Sequence, residues 1–207
     1  DGSTDHSFTL AQTLTGTSID DSSLNTAFGE SISMTKDGTV LVIGAPGVDG
    51  TDDSTTQPDA GAVYYYKWNA DGSTNTYTLQ QTITAPDSQS NMKFGTSVDL
   101  NDTGTRVVIG AEQASTPREM KIDSGETTFD LQDTTFVDLN AGSGAAYTAT
   151  MYNTHFVVDD RLVTDNVTGA DDFGKGVCVI DNTVFVGAPE DDGNASRSND
   201  GTVGIFD

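Results

Sequence analysis

The chain has 207 residues, of which 34% are hydrophobic and 20% are charged, and its formal net charge is −23 at pH 7. That length is sufficient to bury a core, but 9 basic residues are too few to neutralise a phosphate backbone or an anionic membrane surface. Nucleic acid is therefore excluded as an expected partner. The sequence also lacks the run of about 20 apolar residues that a transmembrane helix needs, so no membrane insertion is expected within this segment.

The segments that predict strands are short, alternate apolar with polar residues or are β-branched, and are separated by polar turns. No helical period is sustained. The turns Lys36-Asp37-Gly38, Asp102-Thr103-Gly104 and Asp181-Asn182 favour tight antiparallel hairpins. In chain order the segments are FTLAQTLTG (8–16), FGESISM (28–34), TVLVIGAP (39–46), GAVYYYKW (61–68), YTLQQTITA (77–85), FGTSVDL (94–100), TRVVIGA (105–111), GAAYTATM (144–151), FVVDDRLVT (156–164), FGKGVCVI (173–180), TVFVGAP (183–189) and GTVGIFD (201–207).

These segments recur three times in the same order, which indicates a repeat architecture. The repeats span about 8–68, 77–151 and 156–207, with an insertion at 112–143 whose alternating stretch 127–139 predicts an extra hairpin. Strands in groups of four are typical of propeller blades. The predicted fold is all-β: a β-propeller of four-stranded antiparallel blades, with three blades in a single segment covering 1–207.

A Phe-Gly pair opens each copy, and a Gly-Ala pair, followed by Pro in two copies, ends its second strand. A large aromatic ring can wedge between adjacent sheets, while glycine lets backbones approach without a Cβ. We therefore interpret these residues as packing and chain-exit signals rather than catalytic groups. The motif residues are Phe28, Gly29, Gly44, Ala45, Pro46, Phe94, Gly95, Gly110, Ala111, Phe173, Gly174, Gly187, Ala188 and Pro189.

The order FG, (V/I)GAP and GAVY, with a QTLT-like strand before each FG, resembles the FG-GAP repeat of integrin α-subunit propellers. It is still more similar to the repeats of bacterial and other extracellular FG-GAP proteins. The resemblance runs from Phe8 almost to the end of the chain and implies a propeller, usually of seven blades, used outside the cell for adhesion or recognition. In copy two, Glu112 stands where the motif has proline.

Many blades of this family hold calcium in a DxDxDG-type loop between their first two strands. The corresponding connections in this chain, MTKDGT, LNDTGT and VIDNT, are too short or too poor in acids for the six to eight oxygen ligands of calcium. We therefore expect the family's hairpin calcium sites to be absent.

Three blades are fewer than the four to eight of a typical closed propeller. We expect the segment to be cut from a larger propeller of about seven blades. One alternative is that residues 8–14 join the last sheet and close a small ring. Another is that neighbouring chains supply the missing strands and cover the exposed edges.

The long loops between second and third strands, together with the links between copies, are expected to share one acidic face. Their acids recur partly in register and suggest cation sites, with Ca²⁺ as the candidate cofactor. The competing interpretation is that Asp beside Gly caps turns. The candidate metal ligands are Asp49, Asp52, Asp53, Asp59, Asp191, Asp192 and Asp200.

Three Asn-x-Ser/Thr sequons mark candidate glycosylation sites at Asn101, Asn166 and Asn194, although such matches arise by chance in this composition. Cys178, the single cysteine, is predicted to be a buried small hydrophobe. In the aromatic run of copy one, Tyr65 should point opposite to Tyr64 and Tyr66. Packing between blades is the predicted role of this run, and a sugar-stacking or protein-binding patch is the alternative.

The sequence shows no paired-His zinc motif, nucleophile elbow or phosphate-cradling glycine loop, so no enzymatic activity is predicted. The predicted function is an extracellular or cell-surface module that binds a protein or glycan partner through its acidic face. The first alternative is self-assembly as a structural subunit of an extracellular fibre or particle. The second is a hydrolase or lyase that acts through the propeller-face acids.

Overall fold

The computed structural model describes residues 9–16, 25–52, 55–70, 75–115, 142–163, 171–192 and 200–207. All regular secondary structure in these ranges is β-strand, which confirms the predicted all-β class. No helix that could cross a membrane occurs in the part of the chain described. The strands are β1 (Ser31–Met34), β2 (Val40–Ala45), β3 (Gly50–Asp52), β4 (Thr55–Gln57), β5 (Ala62–Ala70), β6 (Asn75–Ile83), β7 (Phe94–Leu100), β8 (Arg106–Ala111), β9 (Ala145–Tyr152), β10 (His155–Leu162), β11 (Gly176–Ile180), β12 (Thr183–Ala188) and β13 (Thr202–Phe206).

The strands form three antiparallel sheets, one for each copy of the repeat. The first sheet has the order β1-β2-β5-β6, the second β7-β8-β9-β10, and the third β11-β12-β13. The short ribbon β3-β4 lies within the loop between β2 and β5. Because β6 pairs with β5 and β10 pairs with β9, the strands before Phe94-Gly95 and Phe173-Gly174 each complete the preceding sheet. The predicted four-stranded antiparallel sheets are confirmed for the first two copies.

The N-terminal strand is a difference from the prediction. Residues 9–16 were expected to form a strand with residue 8, which lies outside the described ranges, but they adopt no strand. A strand is assigned where the backbone hydrogen-bonds to the backbone of a neighbouring strand, whereas this segment contacts β6 through the side chain of Gln12. The predicted hairpin at 127–139 also lies outside the described residues.

Among the described residues, two buried clusters lie between successive sheets, and a further one covers a face of the first sheet together with Leu14 and Phe28. We call the face of a sheet that packs on the preceding sheet its leading face, and the opposite face its trailing face. Val42, Val63 and Tyr65 on the trailing face of the first sheet join one buried cluster with residues of the second sheet. Val108 and Ala146 do the same between the second and third sheets. The sheets are therefore stacked face to face.

The tyrosine run divides between these faces as predicted. Tyr65 meets Phe156 of the second sheet with ring centroids 5.2 Å apart, whereas Tyr64 and Tyr66 lie at 5.2 and 6.5 Å from Phe28. All three tyrosines are buried, so they serve as packing residues.

The prediction for Cys178 is wrong. Its side chain is exposed, while the neighbouring Val179 is buried against the second sheet. Cys178 points from the trailing face of β11, and its thiol is hydrogen-bonded to the Asp99 carboxylate of the second sheet. The alternation of β11 was read correctly, but the composition alone does not reveal which of its two faces is covered.

Candidate functional site

The geometry of the repeat is concentrated where one sheet meets the next, and we call each such contact a junction. Gly61, just before β5, forms a parallel bridge with Phe94, and Gly144, just before β9, forms the same bridge with Phe173. A Cβ on either glycine would overlap the backbone of that phenylalanine. Both glycines have positive φ angles, of 89° and 85°. Glycine is therefore required at these positions for two reasons, the lack of space for a Cβ and the positive φ angle.

The Gly-Ala pair contributes the second half of each junction. A Cβ on Gly44 would overlap the carbonyl oxygen of Gly95, and a Cβ on Gly110 would overlap that of Gly174. The glycine that ends the second strand of one sheet thus receives the Phe-Gly glycine of the next. The aromatic ring packs within its own sheet, as Phe94 does on Tyr147 at 5.4 Å between ring centroids.

Serines two residues after the Phe-Gly glycine tie the junctions together. Ser31 Oγ donates to Gly95 O at 2.8 Å, and Ser97 Oγ donates to Gly174 O at 2.7 Å. The third copy carries Gly176 at this position. Sequence reasoning missed these serines, although the recurrence of FGES and FGTS was a usable signal.

A second polar contact links the inner strands. Ser33 Oγ donates to Asp99 Oδ1 at 2.9 Å and accepts from Leu100 N at 3.1 Å. Asp99 Oδ2 in turn accepts from Val179 N at 2.9 Å. Ser33 and Asp99 occupy equivalent positions five residues after their Phe, and each contacts the following sheet from there. Cys178 occupies the same position in the third copy.

Glutamine side chains fasten the outer strands to one another. Gln81 donates its amide to Phe156 O at 2.8 Å and accepts from Phe156 N at 2.7 Å. Gln12 makes the same pair of bonds with Tyr77, both at 2.9 Å. A carboxamide can do this because it offers one donor and one acceptor, as a peptide group does. These glutamines were also missed, although they align in QTLT and QTIT.

The acids of the long loops are engaged locally. Asp49 Oδ1 accepts from the backbone N–H of Asp59 at 3.1 Å, and Asp59 pairs with Lys93 Nζ at 2.9 Å. Asp191 is buried and accepts from Thr202 Oγ1 at 2.7 Å. These contacts use the carboxylates to hold the two ends of a loop together or, for Asp59, to hold the loop to the adjoining link. Among the residues that the structure describes, no group of three or more His, Cys, Asp or Glu side chains could hold a metal ion.

The remaining candidate ligands are placed only in part. Asp53 lies outside the described residues, and of Asp52 only its backbone in β3 is described. Asp192 and Asp200 are exposed at the two ends of the loop between β12 and β13.

The hairpins at the opposite edge are held by short polar side chains. Asp37 accepts from the backbone N–H of Thr39 at 3.0 Å and from the hydroxyls of Thr35 and Thr39, and these bonds lower the pKa of its carboxyl. Asn101 has the corresponding role in the second sheet, where its Oδ1 accepts from the backbone N–H groups of Thr105 and Arg106.

The side chain of the sequon residue Asn101 is inaccessible in the folded chain. The residue is 6% exposed, and its Nδ2 donates to Thr105 Oγ1 and to Asp181 O. A glycan would have to be attached to this same nitrogen, which argues against modification of the folded protein. Asn166 and Asn194 lie outside the described residues.

A polar cluster that sequence reasoning did not find lies between the first two sheets. Tyr147 Oη donates to the carboxylate of Asp87 at 2.9 Å, and Arg161 pairs with the same carboxylate at 2.7 Å. Arg161 also donates to Ser115 O at 2.6 Å and lies 5.7 Å from the centre of the Tyr147 ring. Burial raises the pKa of Tyr147, so its hydroxyl remains a donor at neutral pH. The cluster fastens the link after β6 to β9 and β10.

Replacing Arg161 by methionine should lower the free energy of unfolding by about 1–2 kcal/mol, because Asp87 keeps only its tyrosine partner. Partial exposure of Asp87 holds the cost at this level. Urea unfolding at pH 7 measures it. In Asp87→Asn/Arg161→Met, the loss should be smaller than the sum of the single losses; strict additivity would contradict a coupled pair.

These junctions define a class of protein: an all-β repeat protein whose antiparallel sheets stack as blades, each seating the Phe-Gly turn of the next. Residues 77–126 match the family model of the FG-GAP repeat. Residues 77–126 therefore carry an FG-GAP repeat, and because an FG-GAP repeat implies a β-propeller, the stacked antiparallel sheets are propeller blades. A search of curated proteins found no significant match to the chain.

Proposed function

We propose that the chain is a non-enzymatic recognition module that acts outside the cell and binds a protein or glycan partner through its loop edge. The loop edge consists of the described residues of the loops between second and third strands, 46–52, 55–61, 112–115, 142–144, 189–192 and 200–201, and of the described parts of the links between sheets. FG-GAP repeats are in general recognition modules of extracellular proteins, often adhesion proteins, and this supports the proposal.

The observation that carries the proposal is the hydrogen bonding between loops and links. Asn91 N donates to Pro58 O at 2.7 Å and Lys93 N to Asp59 O at 3.1 Å, which joins the first loop to the first link. Phe173 N donates to Ser143 O at 3.1 Å at the next junction. Loops and links therefore share one edge of the stack on a rigid scaffold, where binding sites are commonly placed.

The charge of this edge favours a basic partner surface or a cation between partner and protein. The chain carries 32 acidic against 9 basic residues, and the loops contribute many of the acids. Such a field speeds encounter with a positively charged partner and loses strength as salt is added.

Binding to a glycan array and to a panel of basic extracellular matrix proteins tests the proposal. Asp192→Asn/Asp200→Asn should weaken the strongest interaction about tenfold at low salt, since both residues are exposed in the loop edge. Asp102→Asn, in a hairpin at the opposite edge, is the control. Equal loss in loop variant and control, or no binding by the wild-type chain, would overturn the assignment.

Calcium is the cation that we propose for the loop acids, and a thermal titration decides between this role and simple capping. Calcium bound to the native state alone raises the melting temperature as its concentration exceeds the dissociation constant. With millimolar sites we expect a rise in about 10 mM CaCl₂ that EDTA reverses. An unchanged melting temperature would assign the acids to turn capping alone.

A further inference from the structure

A cavity of about 220 Å³ lies between the link after β6 and the strands β9 and β10. The first and second sheets, which this link joins, both have four strands, so the cavity is not an uncovered end of the stack. Pro86 and Val158 form an apolar part of its wall, and Asp87 and Arg161 form a polar part. Its volume is below that of sites for drug-sized ligands and suits a single side chain.

The polar cluster of Asp87, Tyr147 and Arg161 presents mainly its carboxylate to solvent. The side chain of Asp87 is 34% exposed, compared with 17% for Arg161, and Tyr147 is fully buried. An ionised carboxylate has about four acceptor positions. That of Asp87 accepts from one hydroxyl and one guanidinium, so it can accept from a further donor in the cavity.

The charge of the cavity wall favours a cation over an anion. Arg161 donates through Nη1 to Asp87 and through Nη2 to Ser115 O, and its Nε is shielded from solvent, so little of the guanidinium is open to an anion. Asp159 and Asp160 also line the cavity, which sets three carboxylates against one guanidinium. Asp160 is exposed, and its carboxylate forms no hydrogen bond or ion pair with the residues that the structure describes.

A primary ammonium fits this wall better than a metal ion or a sugar does. Within the described part of the chain, no group of three or more His, Cys, Asp or Glu could hold a metal ion, whereas an ammonium needs only hydrogen-bond acceptors for its three donors. A sugar would find no exposed aromatic face in the wall, because Tyr147 is buried. A lysine side chain can lay its aliphatic stem along an apolar surface while its charged head stays near water.

We propose that this cavity binds a primary ammonium on an aliphatic stem, supplied by a lysine side chain of the protein partner. The ammonium donates to the Asp87 carboxylate, and the charges of Asp159 and Asp160 add attraction at longer range. The stem packs on Pro86 and Val158. This inference rests on the proposed function, and it names the chemical group by which the partner is recognised beside the link.

Amide chemical shifts of the isotope-labelled chain, titrated with Nα-acetyl-lysine methylamide, test the proposal. The amides of Asp87 and of residues 158–161 should shift to saturation, with a dissociation constant of about a millimolar. The Nε-acetylated compound, which has the same stem without the charge, should leave them unchanged. Equal shifts with both compounds, or shifts spread over the acidic surface without saturation, would overturn the proposal.

Two charge-reversal variants separate a site in the cavity from general attraction to an acidic protein. Asp160→Lys should raise the dissociation constant of the lysine compound about tenfold, because it reverses a charge in the cavity wall. The residue is exposed and lies outside the polar cluster, so folding is preserved. Asp102→Lys, at the opposite edge, should change the constant less than about twofold. Equal losses in the two variants would contradict a site in the cavity.

The protein that binds most strongly in the panel of matrix proteins shows whether the ammonium belongs to a partner. Acetylation of its lysines should weaken its binding about tenfold, and Asp160→Lys should do the same. If the chain binds the lysine compound but no protein, the cavity is a site for small amines and the lysine of a partner is ruled out. Protein binding that depends on Asp192 and Asp200, but not on Asp160 or on lysine, would overturn the cavity proposal and leave the proposed function intact.

Discussion

Gly110→Ala should be among the most damaging single-atom additions to this chain, lowering the free energy of unfolding by about 3 kcal/mol. Its Cβ would overlap the carbonyl oxygen of Gly174, which belongs to the backbone of the next sheet and cannot rotate away. Gly110 has no positive φ, so the cost is steric and not conformational. Chemical denaturation monitored by tyrosine and tryptophan fluorescence measures it.

Gly187→Ala is the matched control for this prediction. It changes the equivalent residue of the third sheet, where the nearest atom to the new Cβ is 3.6 Å away. Measured at low concentration, it should cost less than about 0.5 kcal/mol, as a substitution clear of packing does. Equal destabilisation by both variants would mean that these glycines serve the strand itself and not the junction.

Phe94→Ala should lower the free energy of unfolding by about 3–5 kcal/mol, the range for removing a fully buried phenylalanine. The residue is 0% exposed and lies in the cluster shared by the first two sheets. Since domains are commonly stable by only 5–15 kcal/mol, the variant should be close to unfolded at 37 °C. Thermal melting followed by circular dichroism measures the loss.

Phe28→Ala provides the comparison at the end of the stack. Phe28 belongs to the same motif and contacts Tyr64 and Tyr66, but it is only partly buried. Its loss should therefore cost markedly less than that of Phe94. If the two variants were equally destabilised, burial between sheets would not explain the role of the aromatic ring.

The sequence was sufficient for the repeat because each sheet is specified locally. Strand alternation, hairpin turns and the recurring Phe-Gly and Gly-Ala pairs lie within short stretches, and their order predicts the antiparallel sheets. The opposite orientations of Tyr64 and Tyr65 follow from the strand period alone. Even the completion of each sheet by the strand of the next copy could be predicted, as β6 and β10 show.

The features that the sequence did not predict depend on which surfaces of the folded chain contact each other. Cys178 alternates as a core residue would, yet its side chain is exposed. Residues 9–16 have a strand's sequence but pair with none of the described strands. In the polar cluster, Asp87 contacts Tyr147 and Arg161, which lie 60 and 74 positions further along the chain. No local pattern predicts such a contact.

The loop acids illustrate the same limit for the candidate site. Asp beside Gly is compatible with both turn capping and cation binding, because both use carboxylate oxygens. The structure brings Asp49 to the backbone of Asp59 and Asp59 to Lys93, and these pairings could not be chosen from spacing alone.

The central claim is that each sheet seats the Phe-Gly turn of the next on its own glycines. Proton–proton nuclear Overhauser contacts in the labelled protein test this most directly. Strong contacts are predicted between the α protons of Gly61 and the backbone protons of Phe94, and likewise between Gly144 and Phe173. If these contacts were missing while those within each sheet remained, the sheets would not meet at these residues, and the shared loop edge would have no basis.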